Sequence, residues 1–390
     1  MLSAWKVPRN VWVLGSVSLL TDISSKMVQS LLPLFLVTVL GASVWTVGII
    51  EGIAETTASL VKVFSGTLSD YLGRRKSLAV FGYGLSALVK PLFIFATSPT
   101  WVFVARFGDR IGKGIRGAPR DALVADSTPP ELRGAAYGLR QSLDTVGSFS
   151  GPIAAFVLMA ASGDDYRFVF TCALVPALLG VVLLVRGVSE PATGEKRAKP
   201  LRWEDRKRLS REYWVLLWVA LLFNLGNSSE AFLLLRATEV GIGNTLVPLT
   251  LVVLNLAYSL SAYPLGVLSD RVGRTGLLAG GLFLYALVYL GFAFANAPWQ
   301  IWSLFALYGL YLGLSQGALS ALIADRVPAD LRGTAFGLLN LVVGGALLPA
   351  SLLAGWLWER YGSYTAFLLG SGFALAAGIA LLIVERPSRR

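Results

Sequence analysis

The chain has 390 residues, of which 55% are hydrophobic and only 15% charged, with a formal net charge of +11 and a mean hydropathy of +0.65. A water-soluble protein of this size keeps roughly a quarter of its residues charged, so that class is excluded. One cysteine, Cys172, and no histidine exclude a disulfide framework, a thiolate metal cluster and imidazole-based metal or proton chemistry.

Apolar stretches of about 20 residues, the length that crosses a hydrocarbon core, recur from end to end. In chain order they are predicted at 11–40, 45–68, 77–96, 100–126, 134–161, 167–186, 213–236, 244–268, 275–296, 300–325, 334–358 and 364–384. The start lacks a charged n-region with a small-residue cleavage site, so 11–40 is expected to be a retained span. The organisation predicted is all-α and membrane-spanning: twelve helices in two pseudo-symmetric six-helix bundles, 1–186 and 213–390. A polar linker, 187–212, joins them and carries eight Lys and Arg residues.

Taken with the N-terminus inside, the inner loops and tails hold 22 of the 34 Lys and Arg residues, and the outer loops only Arg167, Arg236 and Arg360. This asymmetry predicts that both termini are cytoplasmic. Basic loops beside anionic lipid also account for the net charge, so no nucleic-acid partner is expected.

Two segments repeat at an offset of about 200 residues. Gly66-Thr-Leu-Ser-Asp70-Tyr-Leu-Gly-Arg74 returns as Gly266-Val-Leu-Ser-Asp270-Arg-Val-Gly-Arg274, and Ala122–Leu139 returns as Ala321–Leu338 with 11 of 18 positions identical. With GxLSDxxGRRK at 66–76, the chain resembles the major facilitator superfamily over essentially its whole length. The resemblance implies a secondary transporter working by alternating access, with Gly66, Asp70, Arg74, Asp270 and Arg274 as gating residues. Ordinary turn chemistry with inner-loop arginines is the plainer account of the same residues.

Two shorter patterns add to the resemblance. Arg110-Ile-Gly-Lys113-Gly114 is similar to the family's R-x-x-Q-G motif, with Lys in place of Gln. Gly147-Ser-Phe-Ser-Gly151-Pro152 is similar to the G-x-x-x-G-P pattern of proton-coupled antiporters, although glycines four apart also serve close helix packing. Gly112–Gly117 spells GxGxxG, but mid-span, without the strand that a dinucleotide site requires.

Ionisable residues inside spans are costly and mark function. Spans one to five hold nine bases and six acids; the second half has one deep charge, Glu230. At repeat-equivalent positions Glu51 and Glu55 become Leu251 and Asn255, Lys113 and Arg116 become Leu312 and Ser315, and Arg140 and Asp144 become Leu339 and Val343. The fold therefore does not need these charges. At 100° per residue, Glu51, Glu55 and Lys62 share a stripe within about 40°, and the span-four charges, Arg106 to Asp121, an arc of about 140° facing a water-filled cavity. Gly108, Ile111, Gly112, Ile115 and Pro119 form the opposite, packing side.

The surplus of bases predicts an anionic substrate held by Lys26, Arg110, Lys113, Arg116 and Arg120. Asn224, Asn227, Asn255, Tyr308, Ser315 and Gln316 are candidates for the second-half wall, with helix–helix hydrogen bonding as their alternative role. Proton coupling is assigned to Asp22, Glu51, Glu55, Asp121 and Asp144. Repulsion between Glu51 and Glu55, one turn apart, favours a proton on one of them. Local pairs such as Asp22–Lys26 and Arg140–Asp144 are the structural alternative.

The runs from Asp22 to Leu36 and from Asp109 to Asp121 resemble a bacterial branch associated with iron–citrate export. That likeness implies a metal already wrapped in carboxylates as substrate. The expectation is a monomeric exporter of a small organic anion or metal chelate in the bacterial inner membrane, driven by the proton gradient, with no cofactor and no bound metal. The alternatives are a multidrug exporter of lipophilic cations, an anion importer, or a non-transporting receptor or scaffold. An enzyme is not expected: there is no histidine, nucleophile elbow or metal set.

Overall fold

The computed structural model describes residues 7–72, 74–190, 208–328 and 331–384, the side chains of 67, 70–72, 269–272, 324, 333 and 384 excepted. Among the described residues every regular element is helical, and proline and glycine positions decide where the helices start, bend and stop.

The first span is α1 (Arg9–Gln29), α2 (Leu32–Leu34) and a π-helical turn at Phe35–Val39, bent where Pro33 interrupts the ladder and ended by Gly41 at φ 64°. Next come α3 (Val44–Leu72) and α4 (Arg75–Leu88), which breaks at Val89 before Pro91 into α5 (Lys90–Ile94). Pro99 opens α6 (Pro99–Asp126), α7 is Arg133–Ser162, and Asp165 caps α8 (Tyr166–Gly187) by accepting from the Arg167 and Phe168 amides.

In the second half, Ser210 caps α9 (Arg211–Gly226), and the chain unwinds at 227–230 before α10 (Ala231–Glu239). The rest are α11 (Val247–Val272), α12 (Arg274–Phe294), α13 (Pro298–Arg326), α14 (Arg332–Tyr361) and α15 (Ser363–Val384). With the bent pairs joined, these are twelve spans. The continuous helix predicted over 213–236 is corrected by the break: Asn227-Ser228-Ser229 side chains compete for backbone hydrogen bonds, and this signal was present in the sequence.

Ten of these helices are long and apolar enough to cross a membrane; α3 and α6 are not among them. Those two carry the charge stripes, so the charge pattern costs them their apolarity and not their helicity.

The chain divides into two compact units. One comprises Met1–Gly41, Thr57–Pro200 and Asn244–Leu249, the other Ala42–Thr56, Leu201–Gly243 and Thr250–Arg390. The division thus passes through α3 and α11 as well as between α8 and α9. Small residues explain why the start of α3 belongs to the second unit. A Cβ on Gly48 would lie 2.6 Å from the Ser351 carbonyl oxygen, the Trp45 amide donates to Glu359 at 3.1 Å, and Thr56 Oγ1 donates to the Gly344 carbonyl at 2.8 Å. In the first unit Thr245 is hydrogen-bonded to Asp164.

Two arginines near helix starts and ends act as caps. Arg167 donates to the Ala96 carbonyl, and Arg236 to those of Phe292, Ala293 and Ala295, satisfying helix ends that have no intrahelical donor.

Candidate functional site

In the first unit α6 is held between two neighbours by glycine. A Cβ on Gly82 of α4 would stand 2.7 Å from the Gly112 carbonyl oxygen and 2.8 Å from Arg116 Cβ. One on Gly114 would stand 2.7 Å from Val61 Cβ on α3. Backbones this close draw polar side chains of α6 into the bundle. Lys90, Arg106, Asp109, Arg110 and Arg116 are the buried Asp, Glu, Lys and Arg side chains among the described residues of this unit, all between 2% and 6% exposed. Four bases therefore stand with one acid in the interior.

Their geometry is specific. Asp109 Oδ2 lies 3.0 Å from Arg110 Nη2 and 3.9 Å from Arg106 Nη1. Arg116 donates from Nη1 to Ser86 Oγ at 2.5 Å and lays its guanidinium 4.8 Å from the centroid of the Tyr83 ring, within cation–π range. The Tyr83 hydroxyl is 3.3 Å from Ser18 Oγ, which accepts from Arg120 Nη1 at 3.2 Å. Arg120 reaches Asp121 at 3.1 Å and Asp144 at 4.0 Å, while Arg140 spans Asp144 at 3.0 Å and Asp121 at 3.4 Å. One polar chain thus runs from Ser86 through Arg116, Tyr83, Ser18 and Arg120 to the two aspartates.

The predicted cavity face of α6 is corrected in part. Lys113 is exposed, but Arg110 and Arg116 point into the bundle, because Asp109, Ser86 and Tyr83 satisfy them there. Gly112 and Gly114 are the packing contacts on either flank of the helix. Asp22 and Lys26 lie where α7 meets α1 most closely: a Cβ on Gly147 would be 2.9 Å from Asp22 Cβ, and one on Gly151 2.6 Å from Lys26 Cβ. The paired glycines thus serve close packing.

At the repeated loops, Arg75 and Arg274 hold equivalent places. Arg75 is ion-paired with Asp126 and donates to the Ala122 carbonyl at 3.2 Å; Arg274 is paired with Asp325 and donates to the Ala321 carbonyl at 3.1 Å. The expected equivalence of Arg74 and Arg274 is corrected accordingly: Arg74 is the exposed residue preceding α4. The Asp70 and Asp270 side chains lie outside the described residues, and Gly66 faces Ala118 of α6.

In the second unit Glu51 is 3% exposed and accepts from Ser229 Oγ at 3.5 Å, at the break between α9 and α10. Glu55 is half-buried one turn further along α3. Beyond the break lies a cavity of about 240 Å³, lined in part by Phe223, Asn224, Tyr308, Tyr311, Ser315 and Gln316. Asn227 also lines it and accepts from the Tyr285 hydroxyl at 3.2 Å. Asn255 is not among its described lining residues, which corrects that assignment: its Nδ2 donates to the Leu251 carbonyl one turn back on α11 at 2.7 Å. Asn224 bonds its own helix likewise, to Ala220 at 2.8 Å, so neither asparagine amide is spent bridging helices there.

Sequence reasoning missed Ser18, Tyr83, Ser86 and Tyr311. Each looks apolar or neutral along the chain, and only the packing of α1 and α4 against α6 and of α12 on α13 gives it a role. No group of three or more Cys, Asp or Glu residues among those described is placed to hold a metal ion.

Comparison with known proteins bears on the same features. The Major Facilitator Superfamily family profile matches residues 14–347 and 231–390. An uncharacterised MFS-type transporter of Methanocaldococcus jannaschii is 33% identical over 387 residues, covering 97% of this chain and 96% of that one. The class C tetracycline resistance protein of Escherichia coli is 28% identical over 83% of this chain and 82% of its own. Among solved structures, the nucleoside transporter NupG superposes with a TM-score of 0.80 at 12% identity, covering 96% of this chain and all of that one.

Proposed function

We propose, for a chain that belongs to the Major Facilitator Superfamily and is a multi-pass membrane transporter rather than an enzyme, that its cargo is a small organic anion exported in exchange for protons. The observation carrying this reading is the interior charge ratio of the first unit: Lys90, Arg106, Arg110 and Arg116 buried with Asp109. A low-dielectric cluster with net positive charge is costly to maintain, and an anionic ligand lowers that cost when it binds. Guanidinium groups match carboxylates in a planar fork, so a carboxylate or a metal–carboxylate chelate such as iron–citrate is the class favoured.

In this scheme Arg116, with Lys113 and Arg120 on the same helix, receives the anion, and Arg110 ties it to Asp109. Protons are carried by carboxylates in the spans: Asp22, Glu51 or Glu55, with Asp121 and Asp144 coupled through Arg120 and Arg140. The protein works as a monomer in the bacterial inner membrane with both termini cytoplasmic, as the basic-loop asymmetry favours. Gating falls to the repeated loops, where Arg75–Asp126 and Arg274–Asp325 form equivalent pairs.

The test is ligand-induced stabilisation of the purified full-length protein. Citrate or iron–citrate at a hundredfold its Kd stabilises the folded state by about 2.7 kcal/mol, and Arg116→Gln reduces that gain to about 0.4–1.4 kcal/mol at the same concentration. Equal stabilisation of the variant would take Arg116 out of the site. A second reading, export of lipophilic cations, is supported by the aromatic cavity of the second unit and by the relative named for tetracycline resistance. Stabilisation by lipophilic cations alone selects it.

A further inference from the structure

The cavity in the second unit has a chemistry of its own. None of its described lining residues is Asp, Glu, Lys or Arg. Its walls are aromatic on one side: Tyr308 and Tyr311 have ring centroids 5.4 Å apart at 59°, Phe223 stands 5.9 Å from Tyr311, and Tyr285 backs Tyr311 at 4.9 Å, edge-on. Such a cluster offers ring faces and edges in the arrangement that another ring prefers to meet.

The polar groups are few and most of their acceptor capacity is committed. Gln316 Oε1 accepts from the Tyr258 hydroxyl at 3.1 Å, and Asn227 Oδ1 from Tyr285. With the carbonyl oxygen of Gln316 engaged, its amide presents N–H donors to an acceptor. Volume sets the scale: a dry cavity of about 150 Å³ admits benzene, so about 240 Å³ suits one substituted six-membered ring better than a fused polycycle.

We propose that this cavity binds a single uncharged aromatic or heteroaromatic ring bearing a carbonyl-type acceptor, with the ring against Tyr308 and Tyr311 and the acceptor at the amide of Gln316. This goes beyond the anion reading and does not rest on it, since the site lies wholly within the second unit and takes an uncharged ring. Because no Lys or Arg is among its described lining residues, a carboxylate on the ring would lose water without gaining a cationic partner and bind more weakly.

The experiment is saturable binding to the purified full-length protein, followed by ligand-observed NMR or calorimetry, with benzamide, benzoate, cyclohexanecarboxamide and 2-naphthamide as probes. Benzamide binds, and benzoate, cyclohexanecarboxamide and 2-naphthamide bind at least tenfold more weakly. Gln316→Leu, at an exposed position that folding tolerates, weakens benzamide about fivefold through one lost hydrogen bond. Leu312→Trp, filling the cavity, abolishes binding. Saturable binding of cyclohexanecarboxamide as tight as benzamide, or benzamide binding unchanged in Gln316→Leu, overturns the proposal, as does the absence of saturable benzamide binding. Citrate stabilisation of the same preparation keeps the two readings separable: its persistence without benzamide binding refutes only the ring site. Its loss with benzamide binding intact refutes only the anion site.

Discussion

The pair α4–α6 and its repeat partner α12–α13 are built at the same places from different chemistry. Gly82 and Gly281 are equivalent, and each sits against the helix that follows, beside Arg116 in one case and Ser315 in the other. In the first unit the approach is tight enough that a Cβ would meet the Gly112 carbonyl oxygen at 2.7 Å. In the second the nearest atom would be Leu314 Cβ at 3.2 Å. The tight version encloses an arginine on Ser86 and Tyr83; the loose version leaves a neutral cavity beside Ser315. One repeated helix pair thus supports a charged interior and an aromatic pocket, and the difference lies in a few side chains rather than in the backbone plan.

Substitution at the two glycines is expected to give the largest effect. Gly82→Val forces a branched side chain onto backbone and costs about 3 kcal/mol or more, whereas Gly281→Val meets side-chain atoms that move and costs about 1 kcal/mol. Apparent melting temperatures of the two variants measure this directly, and equal losses would show that the two interfaces are equally tight.

Next in size is the ligand effect of the arginine that the repeat lacks. Arg116→Gln lowers citrate affinity ten- to a hundredfold, as expected for the loss of about 1.5–3 kcal/mol of charge-assisted bonding. Ser315→Ala leaves citrate affinity where it was. A titration in which Ser315→Ala matters as much as Arg116→Gln would erase the functional distinction between the units.

Asp144→Asn removes the carboxylate facing Arg140 and Arg120, which has Val343 as its repeat counterpart. The side chains are only 11–18% exposed, so a loss of about 1–3 kcal/mol is expected in thermal unfolding. Charge removal without loss would mean that the arginines find Asp121 sufficient.

The smallest stability effects belong to the one feature the units share. Arg75→Ala and Arg274→Ala break partly exposed pairs worth less than about 1 kcal/mol each. Their consequence is expected in transport rate, measured in proteoliposomes, and it should be similar for the two. A large change for one alone would limit gating to one loop.

The charge stripes and their absence from the repeat were visible in the sequence, because helical periodicity fixes which residues share a face. Which way that face pointed was not. Arg116 turned inward because α4 supplies Ser86 and Tyr83, partners that lie 30 and 33 residues away along the chain, while Arg110 pairs with its neighbour Asp109. The equivalence of Arg75 rather than Arg74 with Arg274 was equally hidden, since the loop motifs align in two registers and only the pairings with Asp126 and Asp325 choose between them.

By itself the sequence determined the class, the number of spans, the two-fold repeat and the family, because hydropathy, span length and repeated loop motifs are local properties of the chain. The tertiary structure alone decided that α3 and α11 are each divided between the two compact units, and how the polar residues sort into a buried basic cluster and a neutral aromatic cavity. Those outcomes depend on glycine-permitted approaches between helices far apart in sequence, where a few tenths of an ångström settle whether an arginine or an empty space fits.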